Sequence, residues 1–179
     1  MVSLLTSYQF YLIVIGITIA ERLYELKVAN RNYAESMAKG GVEFGSSHYP
    51  YMVIMHTLFL IACLVEPKLN SSLAIHPFIS IVAILCIIGS QTVRWWIINT
   101  LSTQWNTRVV VVPGAKRVTS GPFRYLTHPN YTVVATELIA LPMLHGAWIT
   151  ALTFTIANII LMKTRITIEN EALRLLANE

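Results

Sequence analysis

Two polar clusters carry the chemistry-bearing residues of an otherwise apolar chain. The first is Ser120–Tyr131, read as S-G-P-F-R-Y-L-T-H-P-N-Y. Gly121-Pro122 marks a turn, and Pro129 suits the first turn of a new helix. His128 and Asn130 then sit at a helix start, where unpaired backbone N–H groups meet a polar ligand. The second cluster is Arg165, Glu169 and Glu171, close to the end of the chain. The two together read as two walls of one site at a membrane surface. The plain alternative is a loop before a proline-started helix, with Arg165 and Glu169 as a helix-surface pair at i,i+4. Such a pair stabilises a helix by only about 0.2–0.5 kcal/mol, and arginine before glutamate is the poorer order.

The elements that must position these clusters are membrane helices. The chain has 179 residues, of which 55% are hydrophobic and 12% charged, with a mean hydropathy of +0.58. Soluble domains carry about 25% charged residues. Phe44–Val65, Leu69–Val93 and Leu138–Met162 contain no Lys, Arg, Asp or Glu, and uncharged apolar runs of about 18 residues or more read as spanning helices. No aspartate occurs anywhere, which removes most metal and phosphotransfer schemes built on it, and no metal site is expected. The net charge of +4 reflects cytosolic loops, and no basic run interleaved with aromatics points to nucleic acid. Cys63 and Cys86 lie inside apolar runs and read as packing residues. No cleavable signal peptide is evident.

In chain order, Leu4–Ala20 is the first apolar block, continued by a charged helical stretch to Gly40-Gly41. His48–Val65 is the second span, closed by Glu66-Pro67-Lys68. Leu73–Asn99 holds the third, with Arg94-Trp95-Trp96 as an interfacial anchor near its end. Thr103–Thr127 is a polar connection that contains the β-branched run Val109–Val112. Pro129–Leu144 and Ala147–Met162 form a hairpin around His145-Gly146, and Thr164–Asn178 is a terminal amphipathic helix. The reading is an all-α integral membrane protein of about five transmembrane helices. Residues 1–102 form the N-terminal helices and their connection, and residues 103–179 form a catalytic region with the helical hairpin and a cytosolic tail helix. Basic residues alternate by connection: Arg22, Lys27, Arg31 and Lys39 in the first, Lys68 alone in the second, Arg108, Lys116, Arg117 and Arg124 in the third, none at the hairpin tip, and Lys163, Arg165 and Arg174 in the tail. That alternation predicts five crossings with the N-terminus outside and the C-terminus in the cytosol. Both polar clusters then share the cytosolic side. Pro129–Leu144, interrupted by Glu137 and Pro142, is either a crossing or a re-entrant excursion.

Thr119-Ser120-Gly121-Pro122-Phe123, then His128-Pro129-Asn130-Tyr131, then a hairpin, then Arg165 with Glu169-Asn170 resembles the isoprenylcysteine carboxyl methyltransferase family. These are integral-membrane methyltransferases that use S-adenosyl-L-methionine. Phe123 stands where the family usually has tyrosine, Thr127 replaces the common arginine before His-Pro, and Asn170 replaces a second glutamate. The resemblance implies cofactor contacts at Ala115, Lys116, Arg117, Val118, Phe123, His128, Pro129, Asn130, Tyr131 and Glu169. It implies a substrate contact at Arg165, and catalytic roles for Arg165, Glu169 and His128. The aromatic faces of Phe123 and Tyr131 suit an adenine ring or a sulfonium. Arg165 can hold an anionic oxygen without giving up its own proton. Methyl transfer is an in-line displacement, so catalysis is largely positioning and exclusion of water. Glu137 is an intramembrane acid on the substrate side, paired with Arg94 or Arg165.

A narrower resemblance involves Val42-Glu43-Phe44-Gly45-Ser46-Ser47-His48-Tyr49-Pro50, following the helix that contains Ala20–Leu26. It is similar to the bacterial branch linked to type III polyketide synthases, thought to O-methylate alkylpyrones or similar lipids. That implies a bacterial inner-membrane protein, a lipid-like acceptor entering from the bilayer, and His48 touching the acceptor oxygen. A prenylcysteine carboxyl methyltransferase is the nearer alternative. An NADPH-dependent sterol reductase is one of another class, since such enzymes carry a similar His-Pro-Asn-Tyr, but the glycine usual after the tyrosine is Thr132 here. A non-catalytic scaffold is the third, and it leaves the cytosolic cluster unexplained.

Overall fold

The computed structural model describes residues 7–69 and 76–177. These form α1 Tyr8–Ala38, β1 Val42–Phe44, α2 Tyr49–Leu69, α3 Pro77–Leu101, β2 Val109–Val111, α4 Pro129–Met143 and α5 Trp148–Ala177, with short 3-10 turns at Ser46–His48, Ser102–Gln104 and Gly121–Arg124. The expected block starts at Leu4 and Leu73, and the tail end at Asn178, fall outside the described residues.

The chain is nearly all-α, and its exterior is that of a membrane protein. Among the described residues, three helical stretches are long and apolar enough to cross a bilayer: Ser46–Leu69, Pro77–Gln104 and Trp148–Ala172. Leu58, Ile61, Leu85, Ile88, Leu152, Ile156 and Ile160 point outward from them, each at least half exposed. Patches of that kind on a soluble monomer would drive association. α1 has 31 residues, about 46 Å at 1.5 Å per residue, so it overshoots a hydrocarbon core of about 30 Å. α4 has 15 residues, about 22 Å, and falls short of that thickness.

Helix packing follows the membrane rule of small residues at contacts. Ser80, Ala83 and Ser90 of α3, Ala140 of α4 and Ala151 of α5 are buried where helices meet. Ser80 Oγ donates to Leu144 O at 3.4 Å. One apolar cluster joins Tyr11, Ile15, Phe59, Cys63, Ile87, Leu138 and Leu144 toward the hairpin tip. A second, of Ile97, Ile98, Trp105 and Val133 with Phe123 packed on it, lies toward the polar clusters.

Backbone groups freed inside this apolar medium find specific partners. Pro67 lacks the N–H that would bond the Cys63 carbonyl. The Tyr11 hydroxyl donates to that carbonyl instead, at 3.1 Å, and the Tyr8 hydroxyl donates to Leu64 O at 3.2 Å. Glu66 does more than close the second span. Its carboxylate accepts from Ile149 N at 3.1 Å and Thr150 N at 2.6 Å, neutralising the orphan donors and positive end of α5.

Two expectations need correction. The tail is not a separate amphipathic helix: α5 runs unbroken from Trp148 to Ala177, because Lys163-Thr164 is polar but no glycine or proline interrupts the run. The Val109–Val112 stretch is not plain connection either. Val109–Val111 pairs antiparallel with β1, with Val42 opposite Val111 and Phe44 opposite Val109. This ribbon is the one exception to an all-helical chain among the described residues.

Candidate active site

The connection after α3 is held in place by α1. Asn32, fully buried, donates from Nδ2 to Ser102 O and Trp105 O, each at 2.9 Å. Ser102 adopts φ 50 in this turn, a conformation costly for a non-glycine residue unless its surroundings enforce it. Arg108 locks the ribbon that follows. Its guanidinium donates to Glu43 Oε1 at 2.9 Å and lies 4.2 Å from the Tyr49 ring centroid and 5.2 Å from that of Tyr33. The Tyr33 hydroxyl donates to Glu43 Oε2 at 2.8 Å. Partial burial works to raise the Glu43 carboxyl pKa, but these hydrogen bonds and the guanidinium charge outweigh it and hold it below the ordinary carboxylate range. The same hydrogen bond raises the Arg108 pKa.

The Gly121–Arg124 turn lies directly on α3. Gly121 has φ 59, and a Cβ there would come 2.6 Å from Thr100 Oγ1. The close approach needs glycine, and it brings Phe123 onto the Trp105 cluster. His128 precedes Pro129 at the start of α4, yet its side chain makes no capping hydrogen bond. The imidazole stacks on Tyr131 instead, with centroids 5.1 Å apart and planes 15° from parallel, and its Nδ1 is 3.9 Å from Glu169 Oε2.

Tyr131 joins the two sequence clusters. Its hydroxyl donates to Glu169 Oε2 and accepts from Arg165 Nε at 3.2 Å. Arg165, only 8% exposed, also donates from Nη1 to Thr107 O at 2.8 Å and to Met52 Sδ at 3.0 Å. α2, α4, α5 and the connection after α3 therefore meet at one guanidinium.

Two cavities flank that guanidinium. The first, about 240 Å³, is lined by Ala115, Lys116, Arg117, Val118, Phe123, His128, Pro129, Asn130, Tyr131, Arg165 and Glu169, together with Trp105 and Asn106. The second, about 280 Å³, lies between the helices and is walled by Met52, Phe59, Leu60, Val134, Leu138, Leu141 and Met162. It also carries Arg22, Glu25, His56, Arg94 and Glu137. Trp105, Asn106, Asn130, Tyr131 and Arg165 line both.

Glu137 pairs with Arg94 and sits 3.7 Å from Arg22 Nη2; its partner is not Arg165. Arg22 also pairs with Glu25 at 2.8 Å. His48 lines neither cavity; it sits in the 3-10 turn with its ring against Gly45. Glu171 is exposed and lines neither cavity. Sequence reasoning passed over Trp105, Asn106, Arg22, Glu25 and His56. Of these, His56 left a usable signal, an ionisable residue inside an otherwise uncharged span.

A model of the isoprenylcysteine carboxyl methyltransferase (ICMT) family matches residues 81–175. The chain belongs to the isoprenylcysteine carboxyl methyltransferase family. The family match begins within α3 and ends within α5, so it takes in both walls of the first cavity. Among relatives, the chain is 38% identical over 162 residues to "Uncharacterized protein YpbQ" of Bacillus subtilis (strain 168), covering 90% of this chain and 95% of that protein. It is 26% identical over 156 residues to an "Uncharacterized protein" of Haemophilus influenzae, covering 87% and 90% respectively. No solved structure matches the chain. Isoprenylcysteine carboxyl methyltransferases are membrane enzymes that use S-adenosylmethionine. The first cavity suits such a ligand: on the wall it shares with the second, Trp105 Nε1, Asn106 Nδ2 and Asn130 Oδ1 are buried with no hydrogen-bond partner among the described residues. Two donors and an acceptor beside aromatic faces match a ligand with a flat base, hydroxyls and an amino-acid end.

Proposed function

We propose that this chain is an S-adenosylmethionine-dependent O-methyltransferase of a lipophilic, acidic acceptor, with a long-chain alkylpyrone or related lipid hydroxyl favoured over prenylcysteine. The observation that carries this reading is the pair of cavities sharing one wall at Tyr131 and Arg165. One is the more polar and built from the connection after α3, the α4 start and α5; the other is largely apolar and lies between helices. A water-soluble cofactor and a lipid can approach such a wall from opposite sides.

In this reading Phe123, His128, Asn130, Tyr131 and Glu169 hold the cofactor with the Ala115–Val118 backbone, and Arg165 holds the acceptor oxygen. Bound there, the cofactor supplies an electrophilic methyl group. Tyr131 orients both Glu169 and Arg165, and the apolar helical wall disfavours water beside the acceptor. The alternation of basic connections supports five crossings with the C-terminus and the first cavity on the cytosolic side of a bacterial inner membrane. Cysteine labelling from outside intact cells is expected to reach a residue added at Val2 and not one added after Glu179.

The deciding experiment uses labelled cofactor and mass spectrometry on two acceptors, a long-chain 4-hydroxypyrone and farnesylcysteine. Methyl on the pyrone oxygen is expected. A methyl ester on farnesylcysteine with none on the pyrone reassigns the acceptor. Tight binding of NADPH with no response to S-adenosylhomocysteine removes the methyltransferase reading altogether.

A further inference from the structure

We propose that His56 is a general base in the second cavity for an acceptor that arrives neutral: its Nε2 takes the proton of a phenol-type lipid hydroxyl, leaving the oxyanion to Arg165. The proposal rests on reading that cavity as the acceptor site. Met52 and His56 stand one turn apart on α2, and both line it. His56 Nδ1 lies 2.8 Å from Met52 O. A carbonyl oxygen only accepts, so Nδ1 carries the hydrogen. In the neutral ring Nε2 is then an acceptor, and no described residue donates to it.

The bond from Nδ1 to the carbonyl four residues back turns that nitrogen toward the start of α2 and leaves Nε2 facing away from the carbonyl. Met52 Sδ is itself 3.0 Å from Arg165 Nη1. Arg165 Nε and Nη1 are occupied by Tyr131, Thr107 and Met52, while Nη2 makes no hydrogen bond to a described residue. The lining of one cavity thus carries a proton acceptor on His56 and a cationic donor on Arg165.

The other charged groups facing the cavity are Arg22 and Glu25 from α1, Arg94 from α3 and Glu137 from α4. They form a paired set of zero formal charge: Arg22 holds Glu25 at 2.8 Å, and Arg94 holds Glu137. With both carboxylates tied to arginines, the imidazole is the neutral base that the cavity offers. In the transfer the acceptor O–H bond breaks, the proton goes to Nε2 and the electron pair stays on oxygen. Imidazolium and oxyanion form together, with no oxidant or reductant. A carboxylate or an already ionised hydroxypyrone gains nothing from such a base; a phenol-type lipid hydroxyl that arrives neutral does.

The test needs no cofactor. A long-chain 4-alkyl-2-nitrophenol is colourless when neutral and yellow as the phenolate. It is mixed with the detergent-solubilised protein at a pH where the free probe is neutral, and binding is measured separately by equilibrium dialysis. The wild-type protein is expected to bind it as the yellow phenolate. His56→Gln and His56→Phe are expected to bind it within about threefold as tightly and to lose the phenolate band at least tenfold. The glutamine variant, polar and of similar length, is read if the phenylalanine variant unfolds. Thermal unfolding and S-adenosylhomocysteine binding check that the fold is intact. A full phenolate band in the variants, or colourless binding to the wild type, overturns the base. No binding to the wild type removes the acceptor reading of the cavity, and the base with it.

Discussion

Arg165 Nε donates to the Tyr131 hydroxyl at 3.2 Å, and the same hydroxyl donates to Glu169. Arg165 and Glu169 are four residues apart on α5, but they form no direct ion pair among the described contacts. The cation and the anion of the tail are instead coupled through a side chain of α4. A helix-surface pair would leave Arg165 in solvent, and here it is buried against three other elements: α2, α4 and the connection after α3. Tyr131 therefore sets the orientation of both charged groups at the wall between the two cavities.

This separation of duties predicts distinct phenotypes. Arg165→Lys keeps the charge, but one ammonium cannot reach Tyr131 and Thr107 in the fork geometry of a guanidinium. Methyl transfer is expected to fall by about ten- to hundredfold, the cost of one charge-assisted hydrogen bond, with S-adenosylhomocysteine binding nearly intact. Glu169→Gln is expected to show the reverse, weaker binding by a similar factor. Calorimetry and single-turnover rates on both variants check the split. Wild-type binding and turnover in both would leave the tail pair a packing role and remove it from the site.

The Glu43–Arg108 lock is expected to make stability depend on acid. The folded-state pKa of Glu43 is depressed, so its contribution is fully present above the ordinary carboxylate pKa of about 4.3 and is lost as pH falls through the lower folded value. Thermal unfolding of the wild type should fall across that window. Glu43→Gln should flatten this part of the profile and start from a lower midpoint at neutral pH. An unchanged acid limb in the variant means that the ribbon does not contribute to it.

Tyr11 tests how the membrane interior handles a proline. Its hydroxyl, on a side chain 1% exposed, serves the Cys63 carbonyl that Pro67 leaves unpaired. Tyr11→Phe leaves that carbonyl buried and unsatisfied, at a cost of about 1–3 kcal/mol. Unfolding in mixed detergent should show the loss, and Pro67→Ala combined with Tyr11→Phe should recover part of it by restoring the helical N–H. Equal stability of the single and double variants would break the link between the two residues.

The membrane class, three of the apolar spans and many residues that line the first cavity were legible in the sequence because each has a local signature. Uncharged runs mark spans, Gly121-Pro122 and Pro129 mark turn and helix start, and Arg165 and Glu169 stand in a recognisable spacing. What was not legible depends on partners distant in sequence. Nothing near Glu66 announces that it caps α5, eighty-three residues from Ile149. Nothing in Val109–Val111 alone distinguishes a strand from a connection until β1 lies beside it. Glu137 left two partners open, and only the packing of α3 against α4 selects Arg94.

That pairing supports the last prediction. Arg94 is 3% exposed and contacts both Glu137 and, at 3.6 Å, Glu25. Arg94→Met leaves two buried carboxylates with only Arg22 to compensate them, a change expected to cost about 3–5 kcal/mol. Removing a carboxylate as well, in Arg94→Met with Glu137→Leu, leaves one arginine and one glutamate, again paired. The double variant should therefore be more stable than the single one, with a coupling of about 2 kcal/mol or more. Unfolding in mixed detergent across the four proteins of the cycle measures this directly. Additive losses would show that Arg94 and Glu137 do not act as a pair. A stable double variant that no longer takes the acceptor would locate the need for these charges in the cavity's ligand rather than in the fold.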